Sequence, residues 1–425
     1  MPASTSRLFT RSTLIAGLAS VMVAASLSFT APAHAQKIRP VFFGMHDSWI
    51  SGGSVPGVRT GATRLWDTGT EWRKIETAPG VFDWSTVDAA VNTARGAGLR
   101  PMLVLGQTPQ FHAQDPLAPG AYGDGASSMP DVAAWKRYVV KAAQRYGNQV
   151  DYQIWNEPNV VNYWTGSVPQ MARLTAVAGT AITNVAGRKA TVVAPAFPLR
   201  LKGQRNWYAK YWSARVSGKS VASYVDVVAA NLYPLAHQAP EASMKLLKFA
   251  KRALPKAARG KPLWNTEINY GLLGGATAKE ISNAKQAAFV ARTLVLNAAS
   301  PVRRMYWYSW AIGPIANTHL VEDDRTTLTR AGRAWRVAHS WIVGTDVKKC
   351  AKTSKGRLKG LYTCTAREGR REIRRIYWKP SGSAVKIRTH RTTSQWTDLT
   401  ADTRKRKGRF SLKVGQSPVM VTSRR

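Results

Sequence analysis

The chain is short of acid. Its 425 residues hold 23 Asp and Glu against 62 Lys and Arg, a formal net charge of +39. Such a surplus gathers anions and strengthens binding to polyanions, but it says nothing about fold. Cysteine is nearly absent: Cys350 and Cys364 are the only two. No His-rich motif accompanies them, so they read as a disulfide rather than a metal pair. No His-x-x-x-His, Cys-x-x-Cys or carboxylate cluster marks a metal site, and neither metal nor cofactor is expected. Gly-x-Ser-x-Gly and Walker-type loops are missing, which sets aside nucleophile-elbow serine hydrolases and P-loop nucleotide hydrolysis. Beyond the N-terminal segment no apolar run has the length of a membrane span. There are no internal repeats and no low-complexity linker.

The N-terminal segment reads as a secretory signal. Arg7 and Arg11 form a positive n-region, Leu14 to Phe29 is a short apolar stretch, and Ala33-His34-Ala35 is a small-x-small cleavage site. The expectation is a signal peptide over 1–35 and a mature chain from Gln36. Ser and Gly interrupt the stretch, which is short for the roughly 20 apolar residues of an anchor. A secreted protein, extracellular or cell-wall associated, follows. In that setting a Cys350–Cys364 disulfide would stabilise the C-terminal region by roughly 3 kcal/mol through chain entropy.

Eight short apolar runs then alternate with amphipathic stretches: Pro40–Met45, Ala62–Asp67, Arg100–Gly106, Asp151–Asn156, Thr191–Ala196, Val225–Leu232, Pro262–Glu267 and Arg303–Ser309. Near-continuous apolarity, as in Pro101-Met-Leu-Val-Leu105, suits parallel strands buried on both faces. Helical spacing is predicted over Ser85–Gly98, Asp131–Tyr146, Val168–Gly187, Pro240–Ala258 and Arg330–Val343. A capping box at Thr277-Ala-Lys-Glu280 predicts a further helix running through Ala299. Eight strand–helix units fit a closed (β/α)8 barrel or an open doubly wound sheet. The first strand ends in Gly44-Met-His-Asp-Ser-Trp49 rather than a Gly-rich phosphate loop, which favours the barrel.

From Asp346 helical periodicity disappears and short β-type runs replace it, separated by turns such as Pro380-Ser-Gly382. The fold class expected is α/β: a (β/α)8 TIM barrel over 36–345 with a small C-terminal all-β sandwich domain over 346–425. Those last 80 residues carry 23 Lys and Arg against 5 Asp and Glu, nearly half of the surplus charge. The densest run, Arg404-Lys-Arg-Lys407, is expected to be a solvated turn between strands.

In such a barrel, functional side chains sit at the C-terminal ends of the strands. Those ends offer His46 and Asp47, Arg64 and Asp67, Gln107, Asn156 and Glu157, Asn231 and Tyr233, Glu267 and Asn269, and Trp307 and Trp310. Two glutamates across a mouth lined by Trp, Asn, Tyr, His and Arg suit glycosidic cleavage. That chemistry needs one carboxyl to protonate the leaving oxygen and another to attack the anomeric carbon or activate water.

Ile154-Trp-Asn-Glu-Pro158 resembles the acid/base motif of the clan A glycoside hydrolases, a retaining group with catalytic glutamates on strands four and seven. Pro262-Leu-Trp-Asn-Thr-Glu-Ile-Asn-Tyr-Gly271 is similar to its nucleophile strand, and Trp72…Glu76…Pro79-Gly-Val-Phe-Asp-Trp84 to its second and third units. The tail Val414–Val421 resembles the closing strand of the β-domain beside such barrels. Family 39-type and family 5-type members are the nearest matches, and the motifs do not separate them. The resemblance implies Glu157 as acid/base, on backbone that Pro158 holds extended, and Glu267 as nucleophile. It implies Asn156 on a sugar hydroxyl, Arg64 holding the Glu267 pKa low, Tyr233 donating to Glu267, and Trp307 or Trp310 under a sugar ring. His46 and Gln107 are further candidates for sugar contact.

The substrate expected is a polysaccharide or oligosaccharide, and the charge suggests an anionic polymer of the cell wall or surroundings. Nucleic acid is not expected as a partner of an exported chain, and a monomer is. The competing reading is a non-catalytic barrel that adheres to carbohydrate or polyanion through its basic C-terminal domain.

Overall fold

The computed structural model describes residues 37–271, 280–311, 318–369 and 372–424. The expected signal peptide lies outside the described residues. Eight parallel strands form one sheet: β1 (Phe43–Met45), β2 (Ala62–Leu65), β3 (Arg100–Leu105), β4 (Asp151–Ile154), β5 (Thr191–Val193), β6 (Val228–Asn231), β7 (Leu263–Ile268) and β8 (Val302–Trp307). Their order is β6-β7-β8-β1-β2-β3-β4-β5. Single parallel bridges, Val193 to Val227 and Pro198 to Asn231, bring β5 against β6 and close the barrel. Each of the eight expected runs contains or overlaps one strand.

Around the barrel lie α1 (Ser85–Gly96), α2 (Val132–Tyr146), α3 (Val168–Ala186), α4 (Lys202–Ser213), α5 (Ser243–Arg252), α6 (Asn283–Ala298) and α7 (Arg330–Ile342). Asp131 caps α2 by accepting from the Ala134 amide, and Ser167 with Gln170 makes a capping box on α3. Such caps satisfy amides that have no partner within the helix.

Three expectations are corrected. The first β/α unit has only the 3-10 turn Ile50–Gly52 in place of a helix. α4 was not anticipated, although Tyr208, Tyr211 and Trp212 form a buried stripe at i, i+3 and i+4. The capping box at Thr277–Glu280 does not start α6. Ser282, with φ −60° and ψ 151°, is the N-cap, so Glu280 lies before the helix, and Thr277 itself lies outside the described residues.

The strands alternate faces. Ala62, Met102, Val193, Ala229, Trp264 and Tyr306 point inward and fill the lower barrel. Gly44 is required there, since a Cβ would sit 2.3 Å from the Tyr306 ring. Phe43, Met45, Leu103, Tyr152, Ile154, Met305 and Trp307 belong instead to the large core between strands and helices.

The C-terminal region begins with strand Asp346–Val347. One sheet joins it with Tyr362–Glu368, Glu372–Trp378, Val419–Arg424, Thr393–Thr397 and Thr403–Lys405, and Ala351–Lys352 pairs at its side. A two-stranded ribbon of Val385–Arg388 and Ser411–Val414 packs over it through Leu361, Ile387, Leu412, Val414 and Val421. This is an uneven all-β sandwich. Cys350 and Cys364 are disulfide-bonded. The run Arg404–Lys407 is not simply a turn: Arg404 and Lys405 lie on the exposed strand Thr403–Lys405, at the sheet's edge. Charge on an edge strand discourages pairing with another chain.

Gln36–Arg425 forms one compact unit. The sheet lies on the outer faces of α6 and α7. Cys364, Ile376, Trp378 and Met420 share the barrel's own core cluster. The Trp378 indole donates to Glu241 at 2.7 Å, and Glu241 also pairs with Arg292 of α6. Arg374 donates to the carbonyls of Ser340 and Trp341 at the end of α7.

Candidate active site

At the C-terminal ends of the strands the inward positions turn polar. Arg64 follows Ala62 on the inner face of β2. It is completely buried, and burying a charge without partners is costly. All three of its nitrogens are used: Nη1 donates to Glu267 Oε1 at 2.5 Å, Nη2 to Asn156 Oδ1 at 2.8 Å and Nε to Gln153 Oε1 at 2.6 Å. One side chain thereby joins β2, β4 and β7.

Strict alternation on β7 would aim Glu267 outward. Trp264 points inward, and Asn265 faces α6, where its amide donates to Asn297. The pairing of β7 with both neighbours slips around these residues. A local irregularity of this kind re-aims side chains, and here Glu267 enters the mouth. Tyr233, just past β6, donates to its other oxygen at 3.2 Å.

Glu157 lies just past β4. Its amide donates to Ala196 O at 3.0 Å, and its carbonyl accepts from the Val160 amide at 2.9 Å, opening a turn. Its φ is +48°, so the extended backbone expected from Pro158 is not what forms; the turn overrides the proline's bias. Asn231 donates to Glu157 Oε1 at 2.7 Å, and Thr266 donates to Asn231 in turn. Asp67, Gln107 and Trp155 also have positive φ, at 57°, 67° and 63°. Left-handed backbone in such residues is costly and gathers at functional sites; four of the seven non-glycine positions with positive φ among the described residues lie at this end of the barrel.

The two glutamates have different neighbours. Burial raises the pKa of Glu157, and burial together with the charge of Glu157 pushes that of Glu267 up to about 7. Arg64 opposes the shift on Glu267 without cancelling it, so the low pKa expected there is not found. The pair titrates as a unit. Only Glu267 has a contact ion pair and a tyrosine hydroxyl, both of which favour its ionised form.

Asp67 supports a second polar group. Tyr308 donates to Asp67 Oδ2 at 2.8 Å and Tyr122 to Oδ1, and burial pushes Asp67 up to about 7. Tyr122 comes from the long loop after β3. That loop is tied over the mouth: the Ala121 amide donates to Asn162 O at 2.9 Å, and Trp66 packs edge-on against Tyr122 and Tyr163. His46 is buried, and burial lowers its pKa well below the usual histidine value. Its Nε2 lies 3.2 Å from Thr266 O, while Nδ1 has no partner among the described residues. Both amide atoms of buried Gln107 are likewise unpartnered among the described residues.

The tryptophans fare differently. Trp307 points away from the mouth: its indole donates to Thr318 O at 3.2 Å, and its rings pack on Tyr270 and Trp335. It offers no face to a ligand. Trp310 is also buried, beside Gly57, with its amide on His46 O. Just past β8 the inward residue is Tyr308, which the sequence reading overlooked; counting by twos from Tyr306 finds it. Asn231 and Asp67 were read as mouth residues, without the partners they serve. Among the described residues no cluster of His, Cys, Asp and Glu could hold a metal ion.

No protein-family profile matches the chain, and no curated protein matches it in sequence. Solved structures do match its fold. A monomeric β-xylosidase from Caulobacter crescentus CB15 superposes with TM-score 0.62 at 13% identity, covering 92% of this chain and 97% of that one. A glycoside hydrolase family 39 enzyme from Xanthomonas axonopodis pv. citri matches with TM-score 0.60 at 15% identity, over 92% and 96%. A family 30 endoxylanase from Clostridium papyrosolvens C71 does so with TM-score 0.60 at 15% identity, over 92% and 97%. At these identities the likeness is one of fold, a barrel with an attached β-domain. Family 39 was expected from the motifs; family 30 was not.

Proposed function

We propose that the chain is a retaining glycoside hydrolase with Glu157 as general acid/base and Glu267 as nucleophile. One observation carries this: two glutamates at the ends of β4 and β7, Glu157 half-buried and Glu267 buried, of which only Glu267 is paired with Arg64 and Tyr233. In the first step Glu267 bonds to the anomeric carbon as the bond to the leaving oxygen breaks, and the Glu157 proton passes to that oxygen. In the second, Glu157 takes a proton from water as the water displaces Glu267. Arg64 aligns the nucleophile and Asn156 together. His46 Nδ1 and the Gln107 amide lie buried without partners among the described residues, and buried polar atoms need such partners.

The fold neighbours include a β-xylosidase and an endoxylanase, so aryl β-xylosides are the first substrates to try. Glu157→Gln and Glu267→Gln should each lower kcat at least ~1,000-fold in a screen of aryl glycosides. Proton NMR of the first-formed sugar should show the anomer of the substrate. The opposite anomer would mean inversion, and wild-type protein that binds polymer without any turnover would sink the enzymatic reading.

Secretion after removal of residues 1–35, a barrel ending at 345 and a monomeric state belong to the same proposal. So does an anionic polymer as substrate. If it is right, hydrolysis of that polymer falls as salt rises from 0.05 to 0.5 M, figures chosen on the order of the screening range. Turnover of a neutral aryl glycoside should stay flat over the same range.

A further inference from the structure

We propose that Arg200 binds the leaving-group side of the substrate and selects leaving groups that carry a carboxylate. The inference rests on the glycosidase reading and narrows it to a substrate class.

Position comes first. β5 continues beyond Val193 as extended chain: Ala196 bridges Asn156, and Pro198 bridges Asn231, the residue that holds the Glu157 carboxyl. Arg200 follows two residues later. The backbone there is pinned. Asn159 donates to Pro198 O at 2.9 Å, Arg205 donates to the carbonyls of Leu199 and Arg200 at 3.1 Å each, and the Leu201 amide donates to Gln204 at 3.0 Å. Arg200 is therefore fixed on the β5 side of Glu157, away from β7. An acid that protonates a leaving oxygen has the leaving group on its own side, and Glu267 faces the sugar that stays behind.

Charge comes second. Arg200 is half-buried and has no carboxylate partner among the described residues. The residues outside that description contain no Asp or Glu at all. Arg64 and Arg292, in contrast, are spent on carboxylates. Arg200 acts on Glu157 more strongly than Arg64 does, drawing its pKa down against burial. The other groups facing Glu157 are Asn231, Arg64, Asp67, Tyr163, Tyr233 and the partner carboxyl of Glu267. A carboxylate on the retained sugar would meet Asp67 and Glu267, both anionic when ionised. On the leaving group it would meet a guanidinium whose fork matches it. Binding there would neutralise Arg200, relieve its pull on Glu157 and help the acid keep its proton.

The test compares a nitrophenyl β-xyloside with its ring-carboxylated counterpart, using wild type, Arg200→Gln and Arg200→Lys, each checked for an unchanged melting curve. Wild type should favour the carboxylated substrate in kcat/KM by roughly 10- to 100-fold, the worth of one charge-assisted hydrogen bond. Arg200→Gln should bring the ratio to about one, a value fixed by losing that bond, and Arg200→Lys should restore part of it. The alkaline limb of the Arg200→Gln profile should move to higher pH, because the cation that lowers Glu157 is gone; a purely structural residue would lower activity at every pH. Equal ratios in wild type and Arg200→Gln, on substrates that are turned over, overturn the proposal and leave the glycosidase reading standing. No turnover of either xyloside, or of a wider panel of neutral aryl glycosides, overturns both.

Discussion

Glu157 and Glu267 are chemically identical and burial raises the pKa of both, but only Glu267 is held by a buried cation. Burial raises Glu157, and Asn231 is its only direct side-chain partner among the described residues. A carboxyl whose folded pKa lies above its unfolded value stabilises the fold below the unfolded value, and that contribution is lost as pH rises through the folded one. Glu157→Gln should therefore melt higher than wild type at pH 8, with the gap closing near pH 4, roughly the unfolded glutamate pKa. Glu267→Gln should melt lower than wild type at both pH values, because it leaves Arg64 buried without its carboxylate, a loss of about 3–5 kcal/mol; since the Glu267 pKa is also raised, to about 7, that deficit should be smaller at pH 8 than at pH 4. Melting curves at both pH values check the pair; equal shifts of one sign would refute the assignment of Arg64 to Glu267 alone. Sequence pattern found both glutamates, Arg64, Asn156 and Tyr233, because strand ends in a barrel are where side chains can reach a common point. It missed what depends on exact facing. Trp307 and Tyr308 are neighbours, yet one packs on helices and the other bonds Asp67. The slip in β7 that turns Glu267 inward has no signature in composition.

Elements were legible where periodicity was strong and obscured where packing decided. All eight barrel strands could be read because each is buried on both faces. The start of α6 could not, since a capping sequence is only a local preference and the chain uses Ser282 instead. Close contacts between elements are equally invisible in sequence. Gly179 lies in the middle of α3, where glycine costs about 1 kcal/mol relative to alanine. A Cβ there would sit 2.0 Å from the backbone oxygen of Tyr224, an atom that cannot swing away. Gly179→Ala should therefore destabilise by about 1–3 kcal/mol despite its better helix propensity, lowering Tm by several degrees. Gly203→Ala, in α4 with no atom within 4 Å of the new Cβ, is the control. It should be neutral or gain up to ~1 kcal/mol. Matching losses at both sites would mean that helix packing is not the cause.

For the whole molecule, composition marked a change of character at Asp346 and suggested a separate module. The packing describes something more interdependent. α6 is buried from Gln286 to Ala298, because the barrel lies on one side while the β-sheet and α7 cover the rest. Trp378 is fully buried and bonded to Glu241, which also pairs with Arg292 on α6. Removing 346–425 would uncover the apolar outer faces of α6 and α7 and leave buried Arg292 beside a newly wetted Glu241. The intact protein should therefore unfold in one calorimetric transition, with van't Hoff and calorimetric enthalpies equal. Trp378→Ala should lower that single transition, by about 3–5 kcal/mol, without splitting it. A chain ending at residue 345 should be insoluble or bind hydrophobic dye strongly. Two resolved transitions, or a soluble native-like fragment, would show that the domains fold independently. If they do not, losing polymer binding on truncation says nothing about where the polymer binds, and the basic surface of the β-domain must be tested by charge reversal at exposed positions such as Lys405 and Lys407 in the full-length chain.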